Sequence, residues 1–400
     1  MALTRALRHR NYRLFFVGQG TSLFGTWLTK FATAWMAYRL TGSAFMLGLV
    51  AFATHAPTPV FAPLAGVLVD RWNRRRVIVI TQVLAALQSA ALAVFAFTDW
   101  MTVWHLMALG FAQGLINAFD MPARQAFLRE MIDEPADLPN AIALNSAMVN
   151  AAKLVGPVVA AGLVGLFGEA WCFAVDAASY VAVVASLLAM RVRPLALPEP
   201  GRVRDEMASG WRYARGTPEV RELLIQLAIN SLLAGAYLQL LPAVAAEQVG
   251  HGPYTLGILM AAGGCGALAG AFYLARRATT AGLHAVIVRC RVLLGVAMIA
   301  LELAHATWIA APLIFVMGLC LMIQLAGTNT LIQTIAPPHM LGRVMSMYAV
   351  ANNGGMPLGA FLEGLIAEHA GAIHTLAGAG CLVALAALTL GRASLRPTPP

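Results

Sequence analysis

Gly66-Val-Leu-Val-Asp70-Arg71-Trp-Asn73-Arg74-Arg75-Arg76-Val-Ile78 decides how this chain folds. Apolar stretches flank it at roughly 44–69 and 77–97, and between them one carboxylate and four arginines fall within residues 70–76. A charge at the centre of a bilayer costs about 2.5–3.5 kcal/mol even on insertion scales. The cluster therefore reads as a short aqueous turn joining two membrane-spanning helices. Its arginines place that turn in the cytoplasm, because the inner loops of membrane proteins are the positive ones.

The composition agrees. The chain has 400 residues, 60% of them hydrophobic and 11% charged, which is not the make-up of a soluble domain. A span needs about 20 apolar residues, and twelve such segments can be read. They run over about 13–38, 44–69, 77–97, 102–122, 139–166, 170–190, 221–245, 254–275, 284–303, 308–334, 344–367 and 371–391. With both termini inside, Arg39 is the one arginine of 25 assigned to an outer loop. The fold class expected is thus all-α integral membrane, with both termini on the cytoplasmic side. The polar stretch 191–220, with Pro194, Pro198, Pro200 and Gly201, divides the chain. It leaves 1–190 and 221–400 as two six-span units and itself serves as a cytoplasmic linker. Residues 203–216 are expected as a linker or as a surface helix turning Met207, Trp211 and Tyr213 to lipid.

A net charge of +9 could suggest nucleic acid, but the arginines are dispersed among span ends, so no nucleic-acid partner is expected. Cysteines 172, 265, 290, 320 and 381 show no metal-ligand spacing and read as packing residues. No paired carboxylates, nucleophile–base set or phosphate-binding loop appears, and neither an enzyme nor a metal or other cofactor is expected. The halves repeat: Phe111-x-x-Gly114 recurs as Phe315-x-x-Gly318, and Gly66 recurs as Gly270, both 204 residues on. The second copy keeps Arg276 and Arg277 without an acidic residue. Gly263-Gly-Cys-Gly266 lies inside a span and reads as a close helix crossing.

The opening turn resembles the loop between the second and third helices of the major facilitator superfamily, Gly-x-Leu-x-Asp-Arg-x-Gly-Arg-Arg/Lys-x-x-Leu. Gly66, Leu68, Asp70, Arg71, Arg74 and Arg75 match, Ile78 stands for the last leucine, and Asn73 replaces the central glycine. Asn tolerates the left-handed backbone expected of such a turn. The resemblance implies a cytoplasmic gate built from this loop with Asp120, which would pair with Arg71 or Arg75 or else carry a proton. It also implies two parallel six-helix bundles with a substrate site near the midplane, lined by spans 1, 4, 7 and 10. Each of those spans carries a polar stripe. Gln19, Thr26 and Lys30 lie within about 40° of one another on a helix. The other stripes are Gln113 with Asn117; Gln226, Asn230 and Tyr237; and Gln324 with Thr328. Lys30 and Lys153, the only lysines, both lie within spans. They are expected either to pair with Asp176 or to hold anionic substrate groups, unless Lys30 snorkels outward.

Ala152-x-x-x-Gly156-Pro157-x-x-Ala160-Ala161 resembles the glycine–proline motif of the superfamily's antiporters, a bend with close packing. Gly110-Phe-Ala-Gln113-Gly114 lacks the arginine that proton-coupled members place in span 4. Leu40-Thr41-Gly42-Ser43, Gly210-Trp211-Arg212-Tyr213 and Met340-Leu341-Gly342-Arg343-Val344 resemble the enterobactin-exporter-like secretion branch. That resemblance implies an alternating-access exporter of a small amphipathic, siderophore-like or drug-like compound, monomeric and driven by a proton gradient. A lysophospholipid transporter is the alternative on the same scaffold; a non-transporting receptor has no sensor domain to support it.

Overall fold

The computed structural model describes residues 5–132, 134–192, 211–235, 237–249, 252–277, 279–337 and 340–390, the side chains of residues 63, 67, 70, 135, 248 and 390 excepted. Within them the chain is helical. α1 (Arg10–Thr41), α2 (Ala44–His55), α3 (Pro57–Arg71), α4 (Arg74–Phe97), α5 (Val103–Phe127), α6 (Leu138–Phe167) and α7 (Glu169–Ala189) form the first half. The second half has α8 (Pro218–Leu233), α9 (Tyr237–Val244), α10 (Pro253–Ala275), α11 (Leu283–Ala300), α12 (Thr307–Ile335), α13 (Leu341–Ala370) and α14 (Ala372–Leu390).

These make the twelve expected spans, because two spans are each built of two helices. α2 and α3 meet at Pro57, whose ring occupies the first position of α3 and supplies no N–H to continue the ladder from α2. α8 gives way to α9 beyond Leu233. Among the described residues, eight stretches are long and apolar enough to cross a membrane by length and composition. The remaining spans, α1, α5, α11 and α13, have the length but carry polar and charged residues along it.

Two compact units result. One comprises Met1–Thr41 and Ala53–Pro200, the other Gly42–Phe52 and Gly201–Pro400. The units part at Pro200 and Gly201, within the stretch expected as the linker, and differ from the expected 1–190 and 221–400 in that Gly42–Phe52 groups with the second unit. A methyl at Gly48 would strike the carbonyl of Ala360 in α13, and Phe45 and Phe52 meet the Phe361 ring at 5.9 and 5.6 Å. Most of the linker, residues 193–210, lies outside the described residues, and Met207 with it. Trp211–Gly216 is helical. Its Trp211 is exposed, but Tyr213 and Ala214 join the core around Val220, Leu223 and Ile332 instead of turning to lipid.

Glycines set the closest crossings, and they do so in both halves of the repeat. In the first unit a side chain on Gly114 would meet the Thr54 carbonyl, and Thr58 Oγ1 donates to the Gly114 carbonyl at 3.0 Å. In the second, Gly318 lies against the Gly263 carbonyl and Gly266 against the Phe315 carbonyl, which locks α10 to α12. A backbone carbonyl cannot move aside as a flexible side chain can. Gly266→Leu is therefore expected to abolish the monodisperse folded species in detergent chromatography. Gly162→Ala, at a helical position with open space around it, should leave that species intact and raise stability by up to about 1 kcal/mol.

Candidate functional site

The first unit concentrates its charge at the end where α3 turns into α4. Asn73 is the N-cap of α4: its backbone is extended (φ −65°, ψ 106°) and its side chain accepts from the Arg76 N–H at 3.0 Å. The left-handed conformation expected of it is thus corrected. A side-chain oxygen at this position satisfies a first-turn N–H that has no partner in the helix, and an extended backbone aims it there.

The arginines that follow do not reach Asp120. Arg75 donates Nε to the Leu187 carbonyl at 2.8 Å and Nη2 to that of Leu188 at 2.9 Å, closing the C-terminal turn of α7. Arg74 pairs with Glu130 at 2.7 Å, both side chains largely buried. Arg71 is exposed at the end of α3, and the side chain of Asp70 lies outside the described residues. Gly66 has open space around it. Neighbouring contacts knit the same end: Arg10 donates to the Ala189 carbonyl, Asn11 to that of Arg191, and His9 lies 3.0 Å from Asp137.

Asp120 has its own set of partners. It is buried, accepts from Thr81 Oγ1 and Gln82 Nε2 at 2.9 Å each, and pairs with Arg124 one turn along α5. The expected Arg71 or Arg75 partner is corrected to Arg124. Residues four apart share a helix face, so the nearer cation takes the carboxylate.

Asp176 is likewise not paired with lysine. Its Oδ2 accepts from Thr29 Oγ1 at 2.8 Å and Ser89 Oγ at 2.7 Å, which ties α7 to α1 and α4. Thr29 and Lys30 are adjacent and point about 100° apart; the threonine faces Asp176 and the lysine does not. Lys30 is exposed, with its ammonium 4.7 Å from the centre of the Trp27 ring, and Lys153 is half-buried. Gly156 lets the two helices meet, since a side chain there would run into Trp27 Cβ. Pro157 beside it is buried inside α6.

The polar stripes divide by burial. In the first unit Thr26, Gln113 and Asn117 are partly accessible, Gln113 donating to Asn117 Oδ1 at 3.1 Å, while Gln19 is buried. In the second unit Gln226, Asn230, Tyr237, Gln324 and Thr328 are all buried. The expectation that these five line an open cavity is corrected: their faces turn into the unit's own helix packing.

Two residues there, read from the sequence only as lying near span ends, are buried. Arg291 in α11 is 3% exposed and borders a pocket of about 10 Å³ with Gln226 and Asn230, room for about one water. Its Nε and Nη1, Gln226 Oε1 and Asn230 Oδ1 have no protein partner. The spacing Arg289-x-Arg291 is the available signal, because two residues two apart on a helix cannot share a face. Glu363 in α13, close to the surface by length, is 4% exposed. Among the described residues no group of His, Cys, Asp and Glu could hold a metal ion.

The family model described as transmembrane secretion effector matches residues 3–399. The multidrug efflux pump Tap of Mycolicibacterium fortuitum is 28% identical, over 87% of each chain. Macrolide efflux protein A of Streptococcus pyogenes is 25% identical, over 94% of this chain and 95% of that protein. Among solved structures, the inward-facing bacterial homologue of the human lysosomal transporter Spinster superposes with a TM-score of 0.72 at 17% identity. It covers 96% of this chain and 97% of its own. The shared fold is the major facilitator fold, twelve transmembrane helices in two six-helix bundles.

The buried Asp120 set gives a direct stability test. Asp120→Ala strands the Arg124 cation and leaves the Gln82 amide without its acceptor, while Thr81 keeps its bond to the Ile78 carbonyl; the loss should cost about 3 kcal/mol. Arg71→Ala, at an exposed position, should change stability by less than about 0.5 kcal/mol. Denaturant titration in mixed micelles measures both.

Proposed function

We propose that this chain, which belongs to the transmembrane secretion effector family of the major facilitator superfamily, exports a small amphipathic compound by alternating access. The substrate class is drug-like or siderophore-like, the energy source is the proton gradient, and no bound cofactor takes part. The protein acts as a monomer in the inner membrane with both termini cytoplasmic, the arginine turn at residues 70–76 on the same side.

One observation supports the reading above the rest. Lys30 is exposed and lies deep in a helix of 32 residues, a length of roughly 48 Å. An accessible ammonium at that depth belongs in water, not in hydrocarbon. Set over the Trp27 ring, with Lys153 in the neighbouring helix, it offers a cation and an aromatic face together. That pairing suits an amphipathic compound with an anionic or strongly polar group. The names of the two relatives, a multidrug pump and a macrolide efflux protein, agree with export of a drug-like compound. The Thr26, Gln113 and Asn117 side chains supply hydrogen-bonding groups for the same path.

Proteoliposomes test this with three probes, a radiolabelled macrolide, an anionic siderophore and a lysophospholipid, each with and without an imposed pH gradient. Gradient-driven movement of the first or second is expected. Lys30→Met should slow the siderophore about tenfold, as loss of about 1.4 kcal/mol of charge pairing would. Movement of the lysophospholipid alone, or movement indifferent to the gradient, would overturn the reading.

A further inference from the structure

Glu363 is the one buried carboxylate among the described residues with both oxygens unbonded. It is 4% exposed, and neither oxygen has a hydrogen-bond partner. The contacts of α13 define where it points. A side chain on Gly359 would meet the Leu232 carbonyl of α8, whereas Ala360 and Gly364 lie against Gly48 in the segment Gly42–Phe52. At 100° per residue, Glu363 falls about 40° from Gly359 and about 60° from Ala360, between those two faces. It is also one turn beyond the level of Leu232, where α9 follows α8 and packs on α13. The carboxyl group thus sits in the wedge between α8–α9 and the 42–52 segment, all within the second unit.

Among the described residues, nothing charged faces it there. Gly42–Phe52 contains no ionisable residue, and α9 contains only Tyr237, whose hydroxyl points at Gly263 in α10. The ionisable side chains of α8, Glu219, Arg221 and Glu222, belong to its first turns, roughly 15 Å or more from Leu232 along the axis. α12 brings only Cys320 and α14 only Cys381 and His374, and His374 pairs with Glu302 at 2.8 Å. On α13 itself, Arg343 and Tyr348 lie several turns away. Glu368 at the rim accepts from Ser43 Oγ at 2.7 Å and the Phe45 N–H at 3.1 Å, and His369 is exposed beside it. A carboxylate so placed, with neither cation nor hydrogen-bond donor from the protein, bears the full cost of burying its charge, and binding a proton removes that cost.

We propose that Glu363 is a proton-binding site. It holds a proton while Gly42–Phe52 lies against α13 and releases it when that seam opens to water. The step is a simple protonation: a carboxylate exposed to the aqueous phase takes up one proton, and the neutral acid is buried as Gly48 returns to Ala360. The inference deepens the exporter reading and rests on it, since it gives the energising proton a residue and a seam to act on. The coupling has a definite sign. Low pH favours the closed seam, and rising pH opens it.

The test uses the full chain in lipid nanodiscs, with native cysteines replaced and spin labels on Met46 and Leu365, from about pH 5 to about pH 9. The wild-type label distance is expected to lengthen as pH rises, whereas Glu363→Gln, a neutral isostere, stays short throughout. Infrared spectra of the same samples should show a protonated-carboxyl band in wild type at low pH that is missing in Glu363→Gln. If the variant keeps the wild-type pH response, if the wild-type distance does not change with pH, or if the band survives the substitution, the site is not Glu363. A melting temperature for Glu363→Gln equal to or above wild type shows that the variant folds. Gradient-driven transport together with a pH-insensitive seam would leave the exporter reading standing and remove this proposal alone.

Discussion

Hydrocarbon offers no hydrogen bonds, so every backbone and side-chain polar group in a spanning helix must find its partner inside the protein. The helix ends of the first unit meet this demand with arginine. Arg75 donates to the last carbonyls of α7, Arg10 to the next, and the Asn73 side chain receives one first-turn N–H of α4, that of Arg76. The sequence stretch that announces the turn therefore also fastens it. At depth the demand is met with hydroxyls and amides: Asp176 by Thr29 and Ser89, Asp120 by Thr81, Gln82 and Arg124. Each set joins neighbouring helices, and each makes the carboxylate a fixture of the packing more than a free charge.

The second unit meets the same demand differently. Its copy of the turn has no acidic residue, and its arginines fold back locally. Arg276 lies 4.2 Å over the Phe272 ring, and Arg277 donates to Tyr273 at 3.1 Å and to the Ala281 carbonyl. In place of an arginine pair like Arg74–Glu130, Glu222 of α8 lies 3.6 Å from His284 at the start of α11. The unit also buries two ionisable groups whose partners are incomplete or missing, Arg291 and Glu363. The halves share glycine crossings and topology, whereas their electrostatics diverge: one is stapled at its basic end, and the other keeps charge in its interior.

Much of this is legible in the chain itself. Apolar length and the arginine distribution give twelve spans, because hydropathy and loop charge are local properties. The crossing at Gly263–Gly266 is equally plain, since small residues at helical spacing have one common use. The partners are harder to read. The family loop suggests a distant arginine for Asp120, although Arg124 stands four residues on, where simple helix spacing puts it on the same face. Asp176 is bonded by residues from two other spans, which no one-dimensional pattern pairs. Glu363 reads as near the surface, because length gives depth along a helix but not whether a face looks outward or into its neighbours.

The claim on which the account depends is that the turn at residues 70–76 is a cytoplasmic, aqueous one. Trp72 at its tip is 48% exposed, so a single cysteine there can be reached without disturbing the packing. Labelling of that cysteine in intact cells with a membrane-impermeant maleimide is expected to fail, and to succeed once the membrane is permeabilised. Full labelling before permeabilisation would contradict the account, since it would reverse the orientation of every helix.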